Sequence, residues 1–359
     1  MKYEIDFIGV EGTGGDAAAI AMRYWPDETK DEFKTLVFDG GSKEYGKALC
    51  DILEQYYFNN RRDKTINYLF CSHAHQDHCA GILELMEKFD ISTLVINNPK
   101  DFSEEILDKI DDQRRTEDSI KRKLEEKEKI YHDVIKKALD KNIRITPGLQ
   151  GRCIPVTDQV YFTILSPTPE LFAKKSAEHL LDMGANKAPS NGKQILDPKT
   201  EDVIKDSDST SPINETSIVL HCNMGDEAIL LTGDAGEEGL GTAIRYAKKK
   251  DIDLTAVNVY QAPHHGSRHN VPSKILEQLV GPILDETVWP KIKKTVFVCA
   301  GGNDDKHPHP MTVNAFKKRG CRVYVAKNFT IRHHYGNVPA REGWGPSKQE
   351  QYSDFVEGY

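Results

Sequence analysis

Residues 72–78, Ser-His-Ala-His-Gln-Asp-His, place three imidazoles and a carboxylate within six positions. Imidazole nitrogens and carboxylate oxygens are the donors that first-row divalent ions such as zinc take from proteins. The pair His73 and His75 and the pair Asp77 and His78 share one loop, so that loop can serve two adjacent ions. The alternative is a polar loop that is His-rich by chance. With 13 histidines in 359 residues, chance is a poor account of this order. Cys71 and Cys79 flank the cluster and could add thiolates, but their apolar settings favour packing.

Three later segments share an arrangement, an apolar run that stops at residues able to bind or polarise. Ile229–Thr232 leads into Gly233 and Asp234. Val257–Ala262 leads into Pro263, His264, His265, Gly266 and Ser267. Val296–Cys299 leads into Gly301, Gly302, Asn303 and then His307-Pro308-His309-Pro310. Taken singly, Asp234 reads as a turn residue and each histidine as a surface residue. Together with the first cluster they supply what two metal ions need, and strand ends on one rim of a sheet are where sites are assembled.

The elements that must carry these residues follow from periodicity. Alternation over 3–10, a Gly-rich turn at 12–16, and apolar runs at 17–24, 35–38 and 66–71 predict strands, with helical spacing over 43–57 and 80–89. Residues 102–141 carry apolar positions at helical intervals amid dense mixed charge, which predicts one or two long amphipathic helices. A helical layer packed on a sheet is the plainer reading, and a dimerising or partner-recruiting arm the alternative. A strand over 160–165 and a helix over 170–183 come next, then a polar stretch over 184–213 that reads as a lid or insertion. Strands at 217–222 and 228–232 form a hairpin, and others follow at 256–259, 295–299, 322–325 and 330–332.

Composition bounds the function. An apolar fraction of 38% and a charged fraction of 29% describe a globular chain, and no apolar run is long enough to span a bilayer. The N-terminus opens directly on a strand pattern without room for a signal peptide. Seven scattered cysteines suit reduced thiols in a cytoplasmic protein rather than a disulfide framework. The net charge of −8 argues against coating nucleic acid non-specifically, though not against a local basic groove. Short basic runs stand at 248–250, 291–294 and 317–319.

The His73-Ala74-His75-Gln76-Asp77-His78 motif resembles the central signature of the metallo-β-lactamase fold superfamily. Phe7–Ala17, Phe38-Asp39-Gly40-Gly41, Asn214–Ser217, Leu231–Asp234, Pro263–Ser267, Asn303 with His307–Pro310, and Gly320–Tyr324 look like the ComEC-like branch, in the expected order. The resemblance covers nearly the whole chain except insertions near 102–145 and 168–213. It implies an α/β fold, an αββα sandwich, as a single domain over 1–359 with a charged helical insertion and a polar, lid-like one. By that resemblance His73 and His75 bind the first ion, Asp77 and His78 the second, and Asp234 bridges them, while Asp39 orients the motif loop. Many superfamily members supply one more histidine between the central motif and the bridging Asp. Here Asn214 falls in that stretch, so the first ion either lacks a protein ligand or takes His264 or His265.

Two ions about 3.5–4 Å apart can bring a bridging water towards hydroxide at neutral pH and polarise the centre under attack. The resemblance places Asn303 and His307 to bind a phosphoryl oxygen or protonate a leaving group, with Ser267 assisting or merely stabilising its loop. The expected activity is that of a phosphodiesterase or nuclease acting on nucleic acid or a nucleotide, with two zinc or manganese ions as cofactors. A thioesterase or lactonase would use the same metal pair. A metal-binding scaffold whose helical arm recruits a partner, or forms a homodimer, is the reading from a different class.

Overall fold

The computed structural model describes residues 1–110, 115–182, 194–196, 210–353 and 356–358. In chain order the N-terminal half comprises β1 (Tyr3–Phe7), β2 (Ala19–Tyr24), β3 (Lys34–Gly40), α1 (Lys43–Ile52), β4 (Thr65–Phe70), α2 (Gln76–Cys79), α3 (Ile82–Lys88), β5 (Asp90–Val95), α4 (Ser103–Lys109), α5 (Glu117–Lys127), α6 (Lys129–Asp140) and β6 (Arg144–Thr146). Next come β7 (Cys153–Pro155), β8 (Tyr161–Ser166), α7 (Pro169–Leu180), β9 (Gln194–Leu196), β10 (Val219–Asn223), β11 (Ala228–Leu231), α8 (Glu237–Lys249) and β12 (Val259–Gln261). The chain ends with α9 (Ser273–Leu279), β13 (Thr295–Cys299), α10 (Pro310–Lys318), β14 (Arg322–Ala326), β15 (Ile331–Tyr335) and β16 (Val356–Gly358).

Two seven-stranded sheets face each other. One runs β15-β1-β2-β3-β4-β5-β6 and the other β14-β13-β12-β11-β10-β8-β7. In each, one half is antiparallel and the other parallel. The inner faces meet in a core that includes Phe7, Ile20, Phe38, Phe70, Phe162, Leu220, Leu231 and Phe297. On the outer face of the first sheet α1, α3 and α6 bury Leu49, Leu85 and Val134. Outside the second, α8, α9 and α10 bury Leu240, Leu276 and Phe316. The result is the expected α/β sandwich of four layers.

β1 shows why pattern alone is not enough. Tyr3, Ile5 and Phe7 enter the inter-sheet core, yet Glu4 and Asp6, which point the other way, are also fully buried. Arg23 binds Glu4 at 2.5 Å, Arg332 binds it too, and Arg341 spans both acids, at 2.8 Å from Asp6 and 2.9 Å from Glu4. The ionic cluster therefore ties the segment after β15 over the back of the first sheet.

The charged segment over 102–141 is broken into three shorter helices, α4, α5 and α6, where one or two long helices were expected. Glu128 leaves the helical region, with φ −117° and ψ 43°, and separates α5 from α6. The segment is a crossover rather than an appended arm, because it delivers β6 to pair in parallel with β5. Its apolar stripes are covered within the chain: Tyr131 and Val134 join the α1–α3 layer, and Ile106, Ile120 and Leu124 pack with Ala173 and Ala177 of α7. Leu139, part of the same periodic pattern, is exposed. Of the 168–213 insertion, 169–180 is helix α7 packed on α4, 194–196 pairs with 356–358, and the lid reading of the rest falls largely outside the described residues. No helix among the described residues is long and apolar enough to cross a membrane.

Candidate metal centre

Five loops leave the carboxyl ends of β3, β4, β11, β12 and β13 and converge on one edge of the sandwich, where open α/β sheets ordinarily place sites. They bring together two groups of donor atoms, each group lying within 4.8 Å: Asp77, His78, Asp234 and His265 in one, His73, His75 and Asp234 in the other. Asp234 belongs to both. It is buried, and neither carboxylate oxygen has a hydrogen-bond partner; the same is true of His78 Nε2. His78 Nε2 lies 3.0 Å from Asp234 Oδ1, close but out of hydrogen-bond alignment.

His78, His73 and His265 are each held from behind. Asp39, at the end of β3 with a left-handed φ of 62°, accepts from the Ser72 backbone N–H and hydroxyl and from His78 Nδ1, each at 2.7 Å. That contact assigns the proton to Nδ1 and leaves the Nε2 lone pair turned to Asp234. His73 Nδ1 sits among the Ser72 and Ser217 hydroxyls at 3.0 and 3.3 Å, and His73 Nε2 faces His75 Nδ1 at 3.1 Å. His265 Nδ1 donates to the Cys299 carbonyl at 2.8 Å, which turns Nε2 to Asp77 Oδ2 at 3.2 Å. Gly233 takes φ +53° just before Asp234, and a Cβ there would lie 2.9 Å from the Ser72 side chain, so only glycine lets the two loops meet.

The electrostatics suit a cation. Burial opposes ionisation of Asp77 and Asp234, but the neighbouring histidines outweigh it and hold both carboxyls below their usual range. Burial likewise disfavours a proton on His265, yet Asp234 and Asp77 raise its pKa to about 9. Burial keeps His73 and His75 neutral, the form in which imidazole ligates. Unpartnered buried donor atoms, two carboxylates and the neutral imidazoles of His73 and His75 together fit the binding of a divalent metal.

The sequence left His264 and His265 equivalent, and the structure separates them. His265 is buried in the Asp77 group; His264 is half-buried, with Nε2 3.6 Å from Asp234 Oδ2 and outside both groups. Both adopt left-handed backbone, φ 47° and 54°, a strained geometry of the kind found at functional sites. Asn214 reaches His264 at 3.4–3.5 Å and donates to Thr210 at 2.7 Å, while its buried Oδ1 has no partner. Ser267 is buried and accepts from the His269 N–H, a loop-holding contact. Asn303 is exposed and donates to the Gly12 carbonyl at 3.0 Å, so its amide nitrogen is spent on the N-terminal loop. His307 lies beside the centre, its ring centroid 6.1 Å from that of His264, tilted, and 6.3 Å from that of His265, edge-on.

Sequence reasoning missed Asn270, which is fully buried, donates to the Asp234 carbonyl at 2.8 Å and meets His264 Nδ1 at 2.8 Å. It also missed Glu215, whose carboxylate accepts from Gly236 and Gly239 and seats the helix that begins after Asp234. Neither stands in a ligand-like motif. The basic runs at 248–250 and 317–319 lie at the far ends of α8 and α10, helices whose starts adjoin the site. At 1.5 Å per residue they stand roughly 13–20 Å away along those helices.

Residues 30–144 match the model of the metallo-beta-lactamase superfamily. No curated protein matches the sequence. Among solved structures, the chain is similar to the metallo-beta-lactamase fold protein YhfI from Bacillus subtilis, at 11% identity and TM-score 0.44, over 93% of this chain and 100% of that one. It is similar to a diphosphatase of the PhnP family, at 10% identity and TM-score 0.40, over 93% and 98% of the two chains. It is also similar to Zn(2+)-bound PqqB from Methylobacterium extorquens, at 10% identity and TM-score 0.41, over 91% and 99%. Residues 30–144 thus carry a metallo-β-lactamase superfamily domain, and the His and Asp clusters could hold a metal ion.

Proposed function

We propose that this metallo-β-lactamase-fold chain is a dinuclear metal-dependent phosphodiesterase acting on nucleic acid or a nucleotide. The observation that carries the reading is Asp234: one buried carboxylate, both oxygens without a hydrogen-bond partner, shared by two groups of ligating atoms. Bound divalent ions, zinc or manganese, would polarise the phosphoryl group and bring a water's pKa towards neutrality. His73 and His75 would hold one ion and Asp77, His78 and His265 the other, with Asp39 and the Cys299 carbonyl fixing the tautomers of His78 and His265. His264 is the residue available to complete the first set.

The surroundings favour phosphorus over an acyl carbon. Asn214, Asn270, His264 and His307 stand beside the ligand groups, and they are polar, whereas an acyl hydrolase needs an apolar pocket for its chain. The alcohol of a phosphodiester is a poor alkoxide leaving group and needs a proton, which His307 Nε2 would donate. The seven cysteines are unpaired, six of them buried, which supports a reducing, cytoplasmic location.

The test is cleavage of a single-stranded oligonucleotide and of cyclic nucleotides by metal-loaded protein, with Asp77→Ala and Asp234→Asn as controls. Turnover lost in both variants, with unfolding midpoints kept, supports the reading. Turnover retained in Asp234→Asn refutes the shared carboxylate.

A further inference from the structure

We propose that Asp16 and Asp304 are positioning residues that clamp His307 Nδ1 between two loops and so turn Nε2 to the metal centre. This rests on the phosphodiesterase reading for the task His307 performs, but the clamp is a property of the fold.

Asp16 Oδ2 and Asp304 Oδ2 each lie 2.7 Å from His307 Nδ1. Asp304 Oδ2 also accepts the His307 backbone N–H at 3.0 Å, and its Oδ1 accepts that of Lys306 at 2.8 Å. Asp16 Oδ1 accepts the Gly301 N–H at 2.8 Å. The two carboxylates come from loops far apart in sequence, 12–16 before β2 and 300–309 after β13, and those loops are laced together. Gly302 N–H donates to Thr13 Oγ1 at 3.1 Å, Asn303 N–H to the Thr13 carbonyl at 2.9 Å, and the Asn303 amide to the Gly12 carbonyl. A Cβ on Gly301 would stand 2.3 Å from the Gly15 carbonyl oxygen, so backbone meets backbone there. On the other side the His309 N–H donates to the Gly266 carbonyl at 3.1 Å, tying the same loop to the one that carries His264 and His265.

A histidine ring has two nitrogens, and fixing one fixes the other. With the Nδ1–H shared by two half-buried carboxylates, a ring flip would give up both short contacts, and Nε2 is the nitrogen that works. In the reaction a water oxygen forms the new bond to phosphorus and the bond to the leaving oxygen breaks. That oxygen takes the proton from Nε2, the water's spare proton passes to solvent, and Nε2 is reprotonated from solvent. Throughout, the Nδ1 proton stays with the clamp. This assigns Asn303 a part in lacing the loops rather than in touching substrate.

The experiment compares Asp16→Asn, Asp304→Asn and His307→Ala on two diesters: a dinucleotide, whose leaving alkoxide needs a proton, and bis(p-nitrophenyl) phosphate, whose leaving phenolate does not. On the dinucleotide, each Asp variant should lower kcat by roughly 10–100-fold with KM little changed. His307→Ala should lower it by roughly 10²–10⁴-fold, and adding Asp16→Asn to it should cost nothing more. On the activated diester all losses should be small. Equal losses on the two substrates, or additive losses in the His307→Ala background, would overturn the proposal. So would release of metal from either Asp variant, since the trio would then be ligands themselves. A nitrogen-15 spectrum of the histidine-labelled protein reads the clamp without activity: a His307 Nδ1–H protected from exchange supports it, and a bare Nδ1 refutes it. If wild-type protein cleaves neither diester while that signal is present, the phosphodiesterase reading falls and the clamp stands.

Discussion

Asp39→Asn isolates the part of the metal centre that the fold builds before any ion binds. The substitution keeps the shape, and Asn tolerates the left-handed φ of 62° as Asp does, so the backbone is not strained. Asn Oδ1 can still accept from Ser72 N–H, now at 2.7 Å from Asp39 Oδ1, but an NH2 replaces the oxygen that accepts from Ser72 Oγ and His78 Nδ1. The serine hydroxyl can rotate; the imidazole cannot, except by moving its proton to Nε2, where the lone pair is needed for a metal. Ligation would then require a buried donor facing a donor, which costs about 1–3 kcal/mol. At about 1.4 kcal/mol per tenfold that is a loss of roughly 5–150-fold in affinity, the range seen when such supporting contacts are removed from metal sites. Competition of the protein against a metal-sensing dye, analysed for two sites, should show one site weakened by that factor and the other changed less. Wild-type affinity at both sites in a folded variant would refute the assignment of the tautomer to Asp39.

Two further outcomes test the frame around the centre. Arg341→Met should destabilise the fold by about 3–5 kcal/mol in urea unfolding, because it leaves Glu4 and Asp6 buried with less countercharge; a change under about 1 kcal/mol would show that Arg23 and Arg332 suffice. Glu128 is buried, which pushes its carboxyl up to about 8 from an ordinary 4.5. The unfolded chain gives up that proton near pH 4.5 while the folded chain keeps it to about 8, so this residue's contribution to stability falls as pH rises through that window. Glu128→Gln should remove that fall and raise stability above pH 8, and unfolding curves with an unchanged pH slope would contradict it.

The candidate ligands that the fold gathers were legible because each is announced locally: a scarce residue type at the end of an apolar strand. His73, His75, Asp77, His78, Asp234 and the PHHGS segment needed no tertiary information beyond strand order. The choice between His264 and His265 did: both rings approach Asp234 Oδ2, but only His265 is buried and also meets Asp77. The Asp16–Asp304–His307 clamp was not legible, because Asp16 and Asp304 are joined only through loops that fold together from opposite ends of the chain. Helical periodicity over 102–141 was sound, but it could not show the break at Glu128, where helical residues flank a non-helical backbone. Asn270 and Glu215 act through backbone carbonyls and N–H groups, which no motif of side chains reveals.

The most direct measurement strips the protein of metal, resupplies zinc or manganese, and follows bis(p-nitrophenyl) phosphate and p-nitrophenyl acetate side by side. Metal-restored cleavage of the diester, abolished by Asp234→Asn, is the predicted result. Metal-restored cleavage of the acetate alone would contradict the phosphodiesterase reading and put an acyl hydrolase in its place.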